Sequence, residues 1–251
     1  MAGNPTAKTS MSGPFAVAQH EKDVSEDQTR LGLGFLLLSV LVSVLPVITP
    51  IGGLMAFVAA IFLVLGRESF GEKHSKSVGA ATAVLVLGES FVFVSSIWYL
   101  LFVLSLPNAV GYCSLTSWGL CDNALTGALV PHLSLLLAME AVGAILTSLA
   151  FALFSYFLQR PKWRILLLLA FATSLATNVL VFSLLNSDLN SPLVPGWPSI
   201  LETYRSGFNP DVARAFVDQV FMVSLLNLPP AAIYAAAYYT VYSRLGRGQL
   251  T

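Results

Sequence analysis

The chain has 251 residues, of which 56% are hydrophobic and only 10% charged, against about 25% charged in a soluble domain. Several apolar runs exceed the roughly 18 residues that mark a membrane span, which excludes a soluble globular domain and predicts a polytopic membrane protein. The formal net charge is zero and no basic patch interleaved with aromatics occurs, so no nucleic-acid partner is expected.

Residues 1–30 are polar and mixed in charge. A secretory signal carries its apolar core nearer the start, so this segment reads as a cytoplasmic tail, disordered to about Glu21. The second residue is Ala2 rather than the glycine of a myristoylation motif.

Residues 31–66 contain no charge. As one helix they would be about 54 Å long, against a hydrocarbon core of about 30 Å. The stretch L-P-V-I-T-P-I-G-G over 45–53 breaks the run. Pro46 and Pro50 interrupt helical hydrogen bonding, and Gly52 and Gly53 permit a bend. Two helices are predicted, near 31–48 and 51–66, with Thr49 as N-cap and Pro50 in the first turn. This hairpin and its exit, L-V-L-G-R-E-S-F-G-E-K-H, resemble the opening hairpin of uncharacterised archaeal multi-span membrane proteins. The resemblance covers about residues 31–80, a fifth of the chain. It implies a prokaryotic plasma membrane and carries no activity.

Four more helices are predicted, near 78–106, 128–158, 164–186 and 214–243. The expected fold is therefore an all-α membrane bundle of six spans: a tail at 1–30, a hairpin at 31–66, and a four-helix core at 67–251. Two extracytoplasmic loops, 107–127 and 187–213, interrupt that core. Of the 13 Lys and Arg residues, this threading leaves only Arg205 and Arg214 outside. Lys8, Lys22, Arg30, Arg67, Lys73, Lys76, Arg160, Lys162, Arg164, Arg244 and Arg247 fall inside. Reading 31–66 as a single kinked span moves the tail outside and levels the count, so the positive-inside rule favours six spans over five, with both termini cytoplasmic. The basic turns at 66–77 and 159–164 then fix orientation and reach anionic headgroups.

The first outer loop holds both cysteines, Cys113 and Cys121. An oxidising exterior lets them pair, as a staple of about 2–3 kcal/mol. In the second, Ser199 and Glu202 form a capping box for a short helix near 200–206, and Asn209-Pro210-Asp211 opens the last helix. Trp197 and Tyr204 suit the headgroup region. This loop either docks a partner or forms a lid over the helix ends.

The polar residues within the spans fall in stripes. Thr82, Glu89 and Ser96 share one face of the third helix. His132, Glu140, Gly143, Thr147, Ser148 and Ser155 form a second on the fourth. Thr173 with Thr177, and Ser174 with Asn178, are i, i+4 pairs on the fifth. Gln219, Asn227, Tyr234 and Tyr238 fall roughly in line on the sixth. Hydrocarbon satisfies none of their hydrogen bonds, so the stripes are expected to converge inside helices three to six, with the first hairpin outside them facing lipid. Glu89 and Glu140 would then be a proton or cation site, or two neutral acids bridging helices. Pro229 and Pro230 remove two amide donors and free the carbonyls of Leu225 and Leu226 beside Asn227. Such a break is a recurrent transporter site, and also a common feature of helices that bind nothing. His132 has no second axial ligand at matching depth for haem, and neither cofactor nor metal is expected.

No zincin, nucleophile-elbow, Walker or dinucleotide motif occurs, so an enzyme is not expected. The function expected first is a non-enzymatic accessory or scaffold subunit, acting through a membrane-protein partner or a second copy of the chain within the lipid bilayer. The alternative is a small cation- or proton-coupled transporter or channel using Glu89 and Glu140, with Asn178, Asn227 and the proline break.

Overall fold

The computed structural model describes residues 14–45, 49–113, 118–189, 195–205, 209–247 and 249. Every regular element among them is helical: α1 (Pro14–Val42), α2 (Thr49–Gly66), α3 (Glu72–Cys113), α4 (Trp118–Ser155), α5 (Arg164–Asp188), the short α6 (Ile200–Arg205), α7 (Pro210–Ser224) and α8 (Leu228–Leu245). A 3-10 turn over Leu225–Asn227 joins α7 to α8. Five stretches among these residues are long and apolar enough to cross a membrane: Ile51–Phe70, Glu72–Leu101, Leu129–Ser155, Pro161–Asp188 and Pro210–Leu245. The uncharged part of α1 is shorter. It runs over 31–42, about 18 Å of helix.

The helices close a ring. Each of α1 to α5 packs on the next, α5 packs on α8, and α8 returns to α1, while α4 also touches α8 across the ring. One buried apolar cluster runs through it, from Leu33, Leu36 and Leu63 through Leu85 and Phe154 to Leu167, Tyr238 and Val241.

Three expectations are corrected. The first hairpin does not sit outside the bundle: α1 lies between α2 and α8, and Leu33, Leu36, Ala56 and Leu63 are fully buried. Its other face, with Leu54, Ile61 and Leu65, is exposed. The helix of the tail begins at Pro14, ahead of the limit of disorder expected near Glu21. It is tied down: Ser25 Oγ and Thr29 Oγ1 both donate to the Gly66 carbonyl, at 2.9 and 3.2 Å, capping the end of α2. Helix also occupies most of the expected loop at 107–127, because α3 continues to Cys113 and α4 starts at Trp118. A proline need not end a membrane helix where neighbours meet the freed groups, and α4 runs through Pro131 in the same way. The side chains of Cys113 and Cys121 lie outside the described residues, and so does the disulfide expected between them.

The caps behave as their chemistry requires. Ser199 Oγ accepts from Glu202 N at 3.0 Å, and Asn209 Oδ1 accepts from Asp211 N and Val212 N.

The lateral bonds align one end of the ring. Ser77 Oγ donates to Leu153 O, Arg244 Nη1 to Leu158 O, and Arg30 lies over the Tyr242 ring with its Cζ 5.0 Å from the centroid. The middle of α1, the end of α2, the start of α3 and the ends of α4 and α8 therefore meet together. Arg67, Lys73, Lys76, Arg160, Lys162 and Arg164 lie in the adjoining turns and helix ends, so this is the basic end of the molecule.

Candidate polar site within the bundle

A close helix crossing lies between α3 and α4. A Cβ at Gly88 would stand 2.9 Å from both the Gly143 carbonyl oxygen and Thr147 Oγ1, and one at Gly143 would stand 2.8 Å from the Gly88 carbonyl oxygen. Only two glycines let the backbones approach this closely. That approach delivers Glu89 to α4, where Thr147 Oγ1 donates to Glu89 Oε1 at 3.3 Å. From the other side, α2 offers Gly53, whose missing Cβ would lie 3.3 Å from Glu89 Oε2. Glu89 is thus a half-buried carboxyl at the junction of α2, α3 and α4.

Glu140 is elsewhere. Its side chain is exposed on α4, on the helical face that also carries Gly143 and Thr147, and among the described residues it has no hydrogen-bond or ion-pair partner. It precedes Thr147 by seven residues, about 10 Å of helix rise. Helical side chains lean toward the N-terminus, so the Glu140 carboxyl is carried further from Glu89. The two carboxyls are therefore about two helical turns apart along α4, too far to couple as a close pair. The stripe on α4 divides between two neighbours: Gly143 and Thr147 meet α3, whereas Ser148 meets α8.

The α4–α8 contact carries the buried hydroxyls. Tyr234 donates to the Ser148 carbonyl at 2.7 Å and lies 2.9 Å from Ser148 Oγ. One turn on, Tyr238 is fully buried and donates to the Phe151 carbonyl at 2.8 Å. The two rings stack with centroids 5.9 Å apart. Gln159 Nε2 extends the seam, donating to Ala237 O at 2.6 Å and to Thr240 Oγ1 at 3.2 Å. These are bonds between helices, with no group left pointing at a ligand.

The proline break is equally occupied. Leu228 N–H donates to the Leu225 carbonyl within the 3-10 turn, and Thr177 Oγ1 reaches from α5 to the Leu226 carbonyl at 3.4 Å. Pro229 and Pro230 sit in the first turn of α8, where a proline lacks nothing the helix would use. Asn227 is half-buried and its side chain does not cap α8. Asn178 turns back on its own helix, donating to Ser174 O at 2.8 Å.

The remaining stripe residues are local. Thr82 Oγ1 donates to Val78 O, and Ser96 Oγ to Val92 O on an exposed face. His132 is exposed on α4, towards the far end of the ring.

Sequence reasoning missed three buried groups. Gln159 was assigned to a basic turn, yet it lies one turn past Ser155 and continues the same stripe. His74 was also assigned to a turn; it is 1% exposed and meets Phe70 edge to face, with ring centroids 5.6 Å apart. Asp188, at the end of α5, is fully buried and accepts from Gln219 Nε2 of α7 at 2.8 Å. It falls nearly four turns after Ser174, a spacing that would have placed it on the Ser174–Asn178 face. Among the described residues no group of three His, Cys, Asp or Glu side chains could hold a metal ion.

Comparison with known protein families, with characterised proteins and with solved structures finds no match for the chain.

Proposed function

We propose that this protein is a six-span membrane protein that works by association, as a non-enzymatic accessory or scaffold subunit of a membrane assembly. The observation that carries the reading is the separation of the two intramembrane acids. An ion path would need its carboxyls and freed carbonyls to converge, but Glu89 is engaged by Thr147, Glu140 lies about two turns away along α4, and the Leu225 and Leu226 carbonyls are occupied. Buried polar groups such as Tyr234, Tyr238 and Gln159 bind helix to helix. The gathering of basic residues at one end supports both termini lying on the cytoplasmic side of a plasma membrane. α1 is then the sixth span.

Co-purification at native expression level tests this reading: a stoichiometric membrane partner is expected. Isolation as a clean monomer would count against it.

A second reading, proton or cation transport, retains one favourable observation, the half-buried Glu89 between Thr147 and Gly53. Proteoliposome flux that disappears in Glu89→Gln would support it. Absent flux, or flux unchanged by that substitution, ends it.

A further inference from the structure

We infer that the corner where the α4–α5 turn meets the end of α8 is a binding site for the phosphate of an anionic phospholipid. The inference goes beyond the association reading and holds equally for a transporter, since it concerns the lipid around the molecule.

The cations of the basic end fall into two groups. Those near α1 and the α2–α3 turn stand among acids: Lys22 lies 3.8 Å from Glu26, Lys76 lies 2.6 Å from Glu72, and Glu68 follows Arg67. Those at the α4–α5 turn and the end of α8 do not. Arg160, Lys162, Arg164, Arg244 and Arg247 fall within residues 156–164 and 240–251, which contain no Asp or Glu. Among the described residues none of the five is in an ion pair. The two stretches are adjacent, because Arg244 Nη1 donates to Leu158 O at 3.3 Å and Gln159 Nε2 to Ala237 O at 2.6 Å.

The positive-inside rule accounts for cations at this end, but not for cations gathered without a counter-charge. Arg164 is engaged: its Nε donates to Tyr156 O at 3.1 Å and its Cζ lies 5.0 Å from the Tyr156 ring centroid. Arg244 has less. Its Nε is enclosed without a hydrogen-bond partner, and the charge of Arg160 acts on it from nearby. Like charges repel more strongly where water is partly excluded. One phosphate between Arg160 and Arg244 offsets that repulsion and accepts from the outward forks of both guanidiniums. The surface beside this corner selects a lipid over a free phosphate. Trp163 is exposed, and so are Ile165, Leu168 and Leu169 in the first turns of α5. A Trp at headgroup level with apolar side chains next to it suits a phospholipid and its acyl chains, and offers nothing to an anion without them.

The test titrates the full-length chain in neutral detergent with phosphatidylglycerol or phosphatidylcholine of matched chains, and counts retained lipids by native mass spectrometry. Phosphatidylglycerol should bind about fivefold more tightly, the scale of one basic contact at a membrane surface. Arg160→Gln combined with Lys162→Gln should abolish that preference; both residues are exposed, so the fold persists. Lys73→Gln combined with Lys76→Gln removes the same charge from the other group and should leave the preference in place. Glycerol phosphate, which carries the phosphate without acyl chains, should not displace the lipid at equal concentration. Equal binding of the two lipids, or a preference that survives the Arg160 and Lys162 substitutions, overturns the proposal. Equal loss in both double variants also overturns it, because the attraction is then diffuse. Displacement by glycerol phosphate at equal concentration overturns the lipid assignment in favour of a soluble phosphate. None of these readouts needs a protein partner: their failure leaves the association reading standing, and isolation without a partner leaves this site standing.

Discussion

The basic end of the ring and the far end are built differently. At the basic end the helices are tied by side chains that reach across to backbone: Ser25 and Thr29 to Gly66, Ser77 to Leu153, Gln159 to Ala237 and Arg244 to Leu158. At the far end α3 is almost bare. Over residues 93–101, Phe93, Val94, Ile97, Trp98, Tyr99, Leu100 and Leu101 are all exposed, and only Ser95 is buried. Among the described residues the polar ties there are fewer. Asp188 and Gln219 link α5 to α7 beside a small cluster of Leu133, Leu189 and Ile200. One end of the molecule is closed by its own hydrogen bonds, and the other offers apolar surface to its surroundings. Polar residues buried between these helices therefore mark where helices are fastened together.

Substitutions at the two ends separate these roles. The largest loss of stability is expected at the basic end from Gly66→Leu, because even a Cβ there would overlap Thr29 Oγ1. Overpacking of about 1–3 kcal/mol or more should appear as a lower unfolding midpoint in detergent and a poor yield of monodisperse protein. At the far end, Asp188→Ala strands a fully buried Gln219 amide. Its cost of about 1–3 kcal/mol should be confined to the α5–α7 contact, seen as faster proteolysis between α5 and α7 with α1–α2 unaffected. Tyr238→Phe removes one hydroxyl from a carbonyl on α4 and should cost about 0.6 kcal/mol, the scale of interhelical bonds in membranes. Glu140→Gln should change stability by less than about 0.5 kcal/mol when unfolding is followed in the same detergent. A large loss there would mean that Glu140 is bound within the bundle, and the contrast between it and Glu89 would collapse.

Much of the architecture was legible in the sequence because hydropathy and capping act locally. The ends of α2 and α5, the Ser199 and Asn209 caps and the proline turn before α8 all follow from nearby residues. The extra turns of α3 and α4 did not, since polar or proline-bearing sequence at a helix end is compatible with loop or helix. The site was less legible. A period of 3.6 residues shows which side chains share a face of one helix but not which helix lies opposite. Thr147 and Ser148 are adjacent in the chain and serve different partners, Glu89 on α3 and Tyr234 on α8. Glu140 belonged to the same stripe and has neither. The burial of α1 was hidden for a similar reason. Its apolar residues suit lipid or protein equally, and only closure of the ring onto α8 decides between them.

The two acids can be compared in one experiment with spin labels at Glu140→Cys and Glu89→Cys, reading collision with lipid-dissolved oxygen in reconstituted bilayers. Oxygen should relax the label at 140 more strongly than the label at 89, because position 140 is exposed and position 89 is half-buried between α2, α3 and α4. Equal protection at both positions in the isolated protein would contradict this difference in exposure between the two acids.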